Sequence, residues 1–312
     1  MPSQPTPDSA SPADAAGSRR VIYAAVVANL AIAISKFIAA AATGSASMLA
    51  EGVHSAVDTG NELLLLLGIR RSKKPADRWH PFGYGKVMYF WALVVAVSVF
   101  SLGGGVSIYH GIVSLLDPPD LESPGWNYAV LLVAAVFEGY SWNVSRLELN
   151  KRRQAGESLW ATMRRSKDPT VFTVLVEDSA ALIGIAVALA GIWLGHLLEN
   201  PLIDPAASVL IGIVLVSAAM VLARETGSLL VGESMDRKQI DLLKKIFADD
   251  QAIDHVERLL TMQLGPEQAL LTASVRFKRD LGIDEVEQAI DRLKREVNRQ
   301  CATIRHVFFE LC

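Results

Sequence analysis

The chain has 312 residues, of which 51% are hydrophobic and 20% charged, and its mean hydropathy is +0.30. Soluble domains carry about a quarter charged residues, so this composition favours a membrane protein. A net charge of −3 excludes a generally basic nucleic-acid binder. The two cysteines, Cys301 and Cys312, exclude a disulfide framework and a thiolate zinc site, and they indicate a reducing compartment around the C-terminal part.

Charge divides the chain into three parts. Residues 1–18 are rich in Pro, Ser and Ala and contain no Arg, which predicts a disordered tail and no signal or transit peptide. Residues 19–225 carry few charges, whereas residues 236–312 hold 13 Lys or Arg and 14 Asp or Glu. We therefore predict a membrane domain followed by a cytoplasmic domain of soluble character.

Six segments of the membrane domain are long and apolar enough to cross the ~30 Å hydrocarbon core. They are Val21–Ala42, Ser45–Ile69, Val87–Leu116, Trp126–Val144, Val171–Leu198 and Ile203–Ala223. Thirteen Lys and Arg residues crowd the loops after spans two and four, and the other three loops contain none. The positive-inside rule then predicts six transmembrane helices with both termini in the cytoplasm.

The spacing of apolar residues changes after the sixth span. The predicted elements are a helix with Ile240, Leu243 and Phe247, a strand with Val256, Leu260 and Leu264, a strand over Ala269–Phe277, a helix with Ile283, Val286, Ile290, Leu293 and Val297, and a strand over Ile304–Leu311. The order αββαβ predicts a small α+β, ferredoxin-like domain with its helices on one face of an open sheet.

The second span contains His54 and Asp58, four residues apart, so both side chains face one side of a helix. An imidazole nitrogen and a carboxylate oxygen are both ligands of Zn²⁺, and charges inside a membrane are costly unless they have a function. The pair predicts half of a tetrahedral metal site. A hydrogen bond within the helix is the alternative.

Span five contains the adjacent acids Glu177 and Asp178, whose side chains point ~100° apart on a helix. We expect one to face span two and the other a water-filled path. Pairing with a base is the alternative, and Lys36 of span one is the candidate base. Asn29 is expected to bond to another helix, while Glu138 of span four is either a proton relay or an interhelix contact.

The loop before span three places Asp77 and His80 on a scaffold rich in Gly and Pro. These residues predict a turn that leads into span three, with a secondary metal site as the alternative. In the C-terminal domain, Asp254, His255 and His306 fall on different elements and are expected at the surface.

Together these features resemble the cation diffusion facilitator family. The shared motifs are His-x-x-x-Asp in span two, Pro-Ala-Asp-x-x-His-Pro-Phe-Gly-Tyr-Gly-Lys before span three, and the terminal αββαβ domain. The resemblance extends from about Arg19 to Leu311. The segments Ser166–Thr170 and Val174–Gly184 are similar to the branch that contains the mitochondrial zinc transporter of eukaryotes. The expected lack of a transit peptide favours a bacterial relative and the bacterial inner membrane.

The resemblance implies that the protein is a homodimer in a lipid bilayer that exports a divalent cation in exchange for protons, without a cofactor. It implies a four-ligand site in which His54, Asp58 and Asp178 match family positions. The fourth position falls on Val174, which cannot bind metal, so Glu177 is the expected substitute.

Two further family metal sites match this sequence less well. In the loop site, Asp77 and His80 match, but Tyr84 occupies the third ligand position. In the last strand, Val307–Leu311 replaces a His-rich sequence, so weak metal binding by that domain is expected.

A zinc/proton antiporter is therefore the first hypothesis. A membrane-embedded metal enzyme is the second, because zinc held by His and Asp can activate water, but the chain lacks a His-Glu-x-x-His helix. A non-transporting scaffold is the third, and it does not explain the ionisable residues in the spans. The nitrogen of His54 favours Zn²⁺, with Cd²⁺, Co²⁺, Fe²⁺ and Mn²⁺ as alternatives.

Overall fold

The computed structural model describes residues 29–118, 125–151, 153–154 and 156–312. The predicted tail, residues 1–18, and the first part of span one lie outside the described residues. The helices that correspond to the predicted spans are α1 (Asn29–Thr43), α2 (Ala46–Ser72), α3 (Val87–Leu116), α4 (Gly125–Lys151), α6 (Pro169–Leu197) and α7 (Ile203–Val231). A short helix, α5 (Leu159–Ser166), precedes α6.

Among the described residues, three helices are long and apolar enough to cross a membrane: α3, α7 and Phe172–Leu197 of α6. Helices α2 and α4 are also long, with 27 residues each, but they carry charged residues. The described part of α1 is apolar and shorter. The structure thus supports a helical membrane region, while the total of six spans and their orientation stay predictions.

The chain packs as two compact units, each drawn from three segments. Of the described residues, the first unit, here called the polar unit, comprises 29–63, 98–118, 125–141 and 177–218. The second, here called the sheet unit, comprises Leu64–Val97, Trp142–Val176 and Ala219–Cys312. The long helices α2, α3, α4, α6 and α7 each contribute residues to both units. The predicted boundary near residue 236 stays a prediction.

Close packing of α3 against α7 shapes the polar unit. At Gly111 an added Cβ would lie 2.8 Å from the backbone nitrogen of Val209, so only glycine allows this approach. Helix α3 also widens into a π-helix over Val99–Gly105. The apolar run of span three gave no indication of this change, which occurs where the segment ends in three successive glycines.

The beginning of α2 is held by Asp204, which lies in the first turn of α7. Its buried carboxylate accepts hydrogen bonds from the backbone nitrogen of Ala46 (2.7 Å) and from the hydroxyls of Ser45 (3.0 Å) and Ser47. The first backbone N–H groups of a helix have no partner within the helix, so a carboxylate stabilises them. Asp204 therefore fixes the start of the helix that carries His54.

The C-terminal part of the sheet unit contains α8 (Arg237–Ala248), β1 (Ile253–Gly265), β2 (Gln268–Phe277), α9 (Ile283–Gln300) and β3 (Ile304–Leu311). This order confirms the predicted αββαβ pattern. Strand β2 is central, antiparallel to β1 and parallel to β3. Both helices pack on the sheet through a shared core of Leu243, Phe247, Leu271, Ala273, Val275, Leu293 and Val297.

Two details of the predicted apolar pattern are wrong. A register shift in β1 between Val256 and Arg258 reverses the alternation, so that Leu259 packs against the core and Leu260 is 52% exposed. Ile283 is 82% exposed because it is the first residue of α9 and precedes the buried part of that helix.

Candidate functional site

The predicted pair on α2 lies in the polar unit, where His54 is buried and the Asp58 side chain is 16% exposed. The Nδ1 atom of His54 lies 3.2 Å from Oδ2 of Asp58, which confirms that the two side chains face one side of the helix. This contact is the pairing within the helix that was the alternative to a metal site, whereas Nε2 of His54 and Oδ1 of Asp58 are buried without a hydrogen-bond partner. Leaving a buried polar atom unpaired costs about 1–3 kcal/mol of folding free energy. These two atoms are therefore available to bind another group, such as a metal ion.

The two acids of α6 are buried and are held by different helices. The side-chain amide of Asn61 on α2 donates to Oε1 of Glu177 at 2.8 Å. The hydroxyl of Ser141 on α4 donates to Oδ2 of Asp178 at 2.8 Å. The adjacent carboxylates therefore bond in different directions, as their ~100° separation on a helix requires.

The predicted ligands do not form one closed cluster. Among the described residues, no three or more His, Cys, Asp or Glu side chains lie close enough together to hold a metal ion. The polar unit contains His54 beside Asp58, and it contains Glu177 and Asp178 tied to an amide and a hydroxyl. A tetrahedral ligand set requires these side chains to exchange their present hydrogen bonds for metal bonds. Their roles as ligands stay predictions.

Lys36 does not neutralise the acids of α6. Its ammonium group is fully buried and lies 2.9 Å from Oε2 of Glu51 and 2.8 Å from the hydroxyl of Ser55, both on α2. The alternative in which this lysine pairs with Glu177 or Asp178 is therefore wrong. Its ion-pair partner is Glu51 instead.

Two other polar residues of the membrane region also have defined surroundings. The side-chain amide of Asn29 on α1 donates to Oε1 of Glu62 on α2 at 2.8 Å, which confirms the predicted bond between helices. Glu138 is half-buried on α4, three residues before Ser141, and both face a similar direction. Its role as a proton relay stays a prediction.

Sequence reasoning did not assign roles to Glu51, Asn61 and Ser141. Spacing could have identified two of them, because Glu51 precedes His54 by three residues and Asn61 follows Asp58 by three. Ser141 had no such signal, since serine is common in membrane helices and its partner Asp178 is distant in sequence.

In the loop before α3, the carboxylate of Asp77 is occupied by hydrogen bonds. It accepts from the hydroxyl of Tyr84 (2.6 Å), the backbone nitrogens of His80 (2.8 Å) and Trp79 (3.0 Å), and the ammonium of Lys74 (3.2 Å). These donors, with Tyr84 first, hold the pKa of the Asp77 carboxyl well below its usual range. Such a network supports the structural turn, and the secondary metal site of Asp77 and His80 stays a prediction.

In the C-terminal domain, Asp254 and His255 are exposed, as expected. His306 is half-buried, and its ring packs edge-on against Phe82 with 5.1 Å between centroids. His306 is therefore less exposed than expected, because Phe82 of the loop before α3 packs against its ring. Phe82 also contacts Phe308 of the same strand.

Comparison with known proteins adds independent information. Residues 22–231 match the family described as the cation efflux transmembrane domain. The chain is 30% identical to the mitochondrial proton-coupled zinc antiporter SLC30A9 of Xenopus laevis, over 95% of this chain and 60% of that protein. It is 30% identical to metal tolerance protein C4 of Arabidopsis thaliana, over 89% of this chain and 60% of the relative.

A bacterial relative matches over nearly its whole length. The manganese efflux system protein MneP of Bacillus subtilis is 24% identical, over 94% of this chain and 95% of that protein. By contrast, the chain spans about 60% of the length of the mitochondrial and plant relatives. The names of these relatives include two different metals, zinc and manganese.

Proposed function

The chain belongs to the cation efflux family, and we propose that it is an antiporter that exports zinc from the cytoplasm in exchange for protons. The observation that carries this proposal is the His54–Asp58 pair, in which the unpaired Nε2 of the buried imidazole and Oδ1 of the carboxylate are the ligand types that Zn²⁺ binds. Family membership makes the protein a transporter, which disfavours the membrane-embedded enzyme.

Four side chains of the polar unit are proposed as the ligands: His54, Asp58, Asp178 and Glu177. A neutral imidazole and three carboxylates around a divalent ion give a loaded site with a charge of about −1, in which one added proton is easily accommodated. The ligands must lose protons to hold a metal ion, so zinc and protons compete for the same atoms. This competition couples zinc release to proton entry.

The hydrogen bonds of the two acids give the empty site a stable arrangement. Asn61 and Ser141 act as temporary partners that hold Glu177 and Asp178 while no ion is bound. An arriving ion exchanges these neutral bonds for stronger interactions with a +2 charge. We propose that this exchange closes the ligand set.

Zinc is favoured over manganese by the nitrogen of His54. Hard ions such as Mn²⁺ prefer an all-oxygen ligand set, whereas imidazole suits Zn²⁺. The name of the zinc antiporter relative supports this choice, while the name of the manganese efflux relative supports the alternative metal.

We further propose that the protein is a homodimer in the bacterial inner membrane, with both termini in the cytoplasm. The absence of Lys and Arg from three of the five loops supports this orientation. The C-terminal domain is proposed to bind metal only weakly, because Val307–Leu311 supplies one carboxylate and no histidine.

Radiozinc uptake into proteoliposomes tests the proposal. We expect an imposed pH gradient, acidic on the metal-receiving side, to accelerate uptake, and an uncoupler that collapses the gradient to remove the acceleration. Vesicles without protein provide the background. Zinc flux that does not respond to the gradient would contradict antiport, and the absence of flux for both zinc and manganese would contradict transport by this site.

A further inference from the structure

Helix α1 contributes a lysine that is fully enclosed by protein. The ammonium of Lys36 is 0% exposed and contacts Oε2 of Glu51 at 2.9 Å and the hydroxyl of Ser55 at 2.8 Å. A buried ion pair contributes little net stability compared with apolar packing, because both charges lose their hydration. Its presence in a membrane region therefore suggests a function for the charges.

Only one of the two carboxylate oxygens of Glu51 is used by this pair. The other, Oε1, is buried without a hydrogen-bond partner. It is directed at Gly184 on α6, where an added Cβ would collide with it. The glycine thus leaves room for an unpaired carboxylate oxygen on the same helix that carries Glu177 and Asp178.

Glu51 lies beyond the proposed metal site in one direction along both helices. On α2 it precedes His54 by three residues, or about 4.5 Å along the axis, and Asp58 by seven residues, or about 10 Å. On α6, Gly184 follows Asp178 by six residues, or about 9 Å. In the proposed orientation, α2 runs inward and α6 runs outward, so both displacements are toward the outside of the membrane.

We propose that Glu51 is a transient ligand for the divalent cation as it leaves the His54–Asp58 site toward the outside. The ammonium group of Lys36 pairs with the Glu51 carboxylate again after the ion has left. The location on an exit path rests on the proposed function. While the ion is bound to Glu51, the nearby ammonium repels it and prevents tight binding. Once the ion has left, Lys36 restores a neutral pair.

This arrangement predicts that Lys36 keeps a second cation site from being stable. Removing its charge with Lys36→Met leaves Glu51 as a buried carboxylate without a cation. Equilibrium binding of zinc alone to the purified full-length chain should then give one more ion per chain than the wild type. The double variant Lys36→Met/Glu51→Gln is the matched control, and it should return to the wild-type count.

Lys36→Met leaves a buried negative charge and has the greater risk of misfolding. The double variant has no buried charge at this position, so it provides a second test by comparing zinc binding with zinc flux. We expect its zinc affinity at the His54–Asp58 site to stay within about threefold of wild type. We expect its zinc flux to fall about tenfold, because the ion then has to leave without binding to Glu51. Wild-type flux in the double variant would mean that the ion pair only joins α1 to α2, and would overturn the proposal.

The number of zinc ions bound per chain also separates this proposal from the proposed antiport function. It needs no pH gradient, so an extra ion in Lys36→Met that disappears in the double variant supports the Glu51 site even if antiport fails. Gradient-driven flux in the wild type with an unchanged count in folded Lys36→Met overturns the Glu51 site alone. An extra ion that persists in the double variant also overturns it, because that ion is bound elsewhere.

Discussion

Two histidine–aspartate pairs in this protein have nearly the same separation and very different surroundings. His54 and Asp58 lie 3.2 Å apart inside the polar unit, and His80 and Asp77 lie 3.3 Å apart in the loop before α3. In the first pair His54 is buried, and its Nε2 atom and Oδ1 of Asp58 have no hydrogen-bond partner. The carboxylate of the second pair is half-exposed and already accepts four other hydrogen bonds.

The difference shows that residue type and spacing are insufficient to identify a metal site. A metal ion must displace whatever its ligands already bind, and the displaced partners add to the cost of binding. At Asp77 those partners include a phenol and an ammonium, so the network itself stabilises the turn. At His54 little has to be displaced, which is why the buried pair is the better candidate.

The largest effect is expected from Asp178→Ala. Loss of a carboxylate that neutralises a divalent cation in a buried site should reduce zinc flux in proteoliposomes about 100-fold or more. Asp77→Ala is the matched control, because it removes the same group from the loop, and it should retain most of the flux. Equal losses in the two variants would remove the distinction between the two pairs.

Glu177→Gln should reduce flux about tenfold and change its dependence on pH. The glutamine oxygen can still accept the hydrogen bond from Asn61, so the packing of α2 against α6 is retained while the charge is lost. The measurement is flux across a series of pH gradients. Flux equal to wild type at every pH would assign Glu177 a structural role and leave a three-ligand site completed by water.

His54→Asp tests the nitrogen ligand. We expect some transport to continue, with the ratio of zinc to manganese flux falling severalfold because an all-oxygen site suits harder ions. His80→Asp in the loop should leave the ratio unchanged and serves as the control. A zinc-to-manganese ratio that does not move in His54→Asp would mean that His54 is not a ligand.

The smallest effect is expected from Asp77→Asn. Because Tyr84 and the other donors hold the pKa of this carboxyl well below its usual range, its contribution to folding stability is present above a pH of about 4 and lost as the pH falls further. The variant should lower the thermal midpoint slightly at pH 7, and the difference should shrink under more acidic conditions. A loss of zinc binding instead of stability would indicate a metal site in the loop.

Much of the fold followed from periodicity. Long apolar runs predicted the positions of the helices, and the change to short periodic segments after the sixth span predicted the αββαβ order. The predictions were wrong in detail where local backbone geometry interrupts the regular spacing of apolar residues. The register shift in β1 moved Leu259 into the core in place of Leu260, and the π-helix of α3 could not be read from an apolar run.

The candidate site was likewise only partly predictable from the sequence. Residue type and spacing were sufficient to predict that His54 faces Asp58, because residues four apart on a helix must lie on one side. The partners of the other polar groups come from helices distant in sequence: Asn61 for Glu177, Ser141 for Asp178 and Lys36 for Glu51. Packing between helices selects such partners, since every buried charge must find a donor or acceptor among whatever neighbours the fold provides.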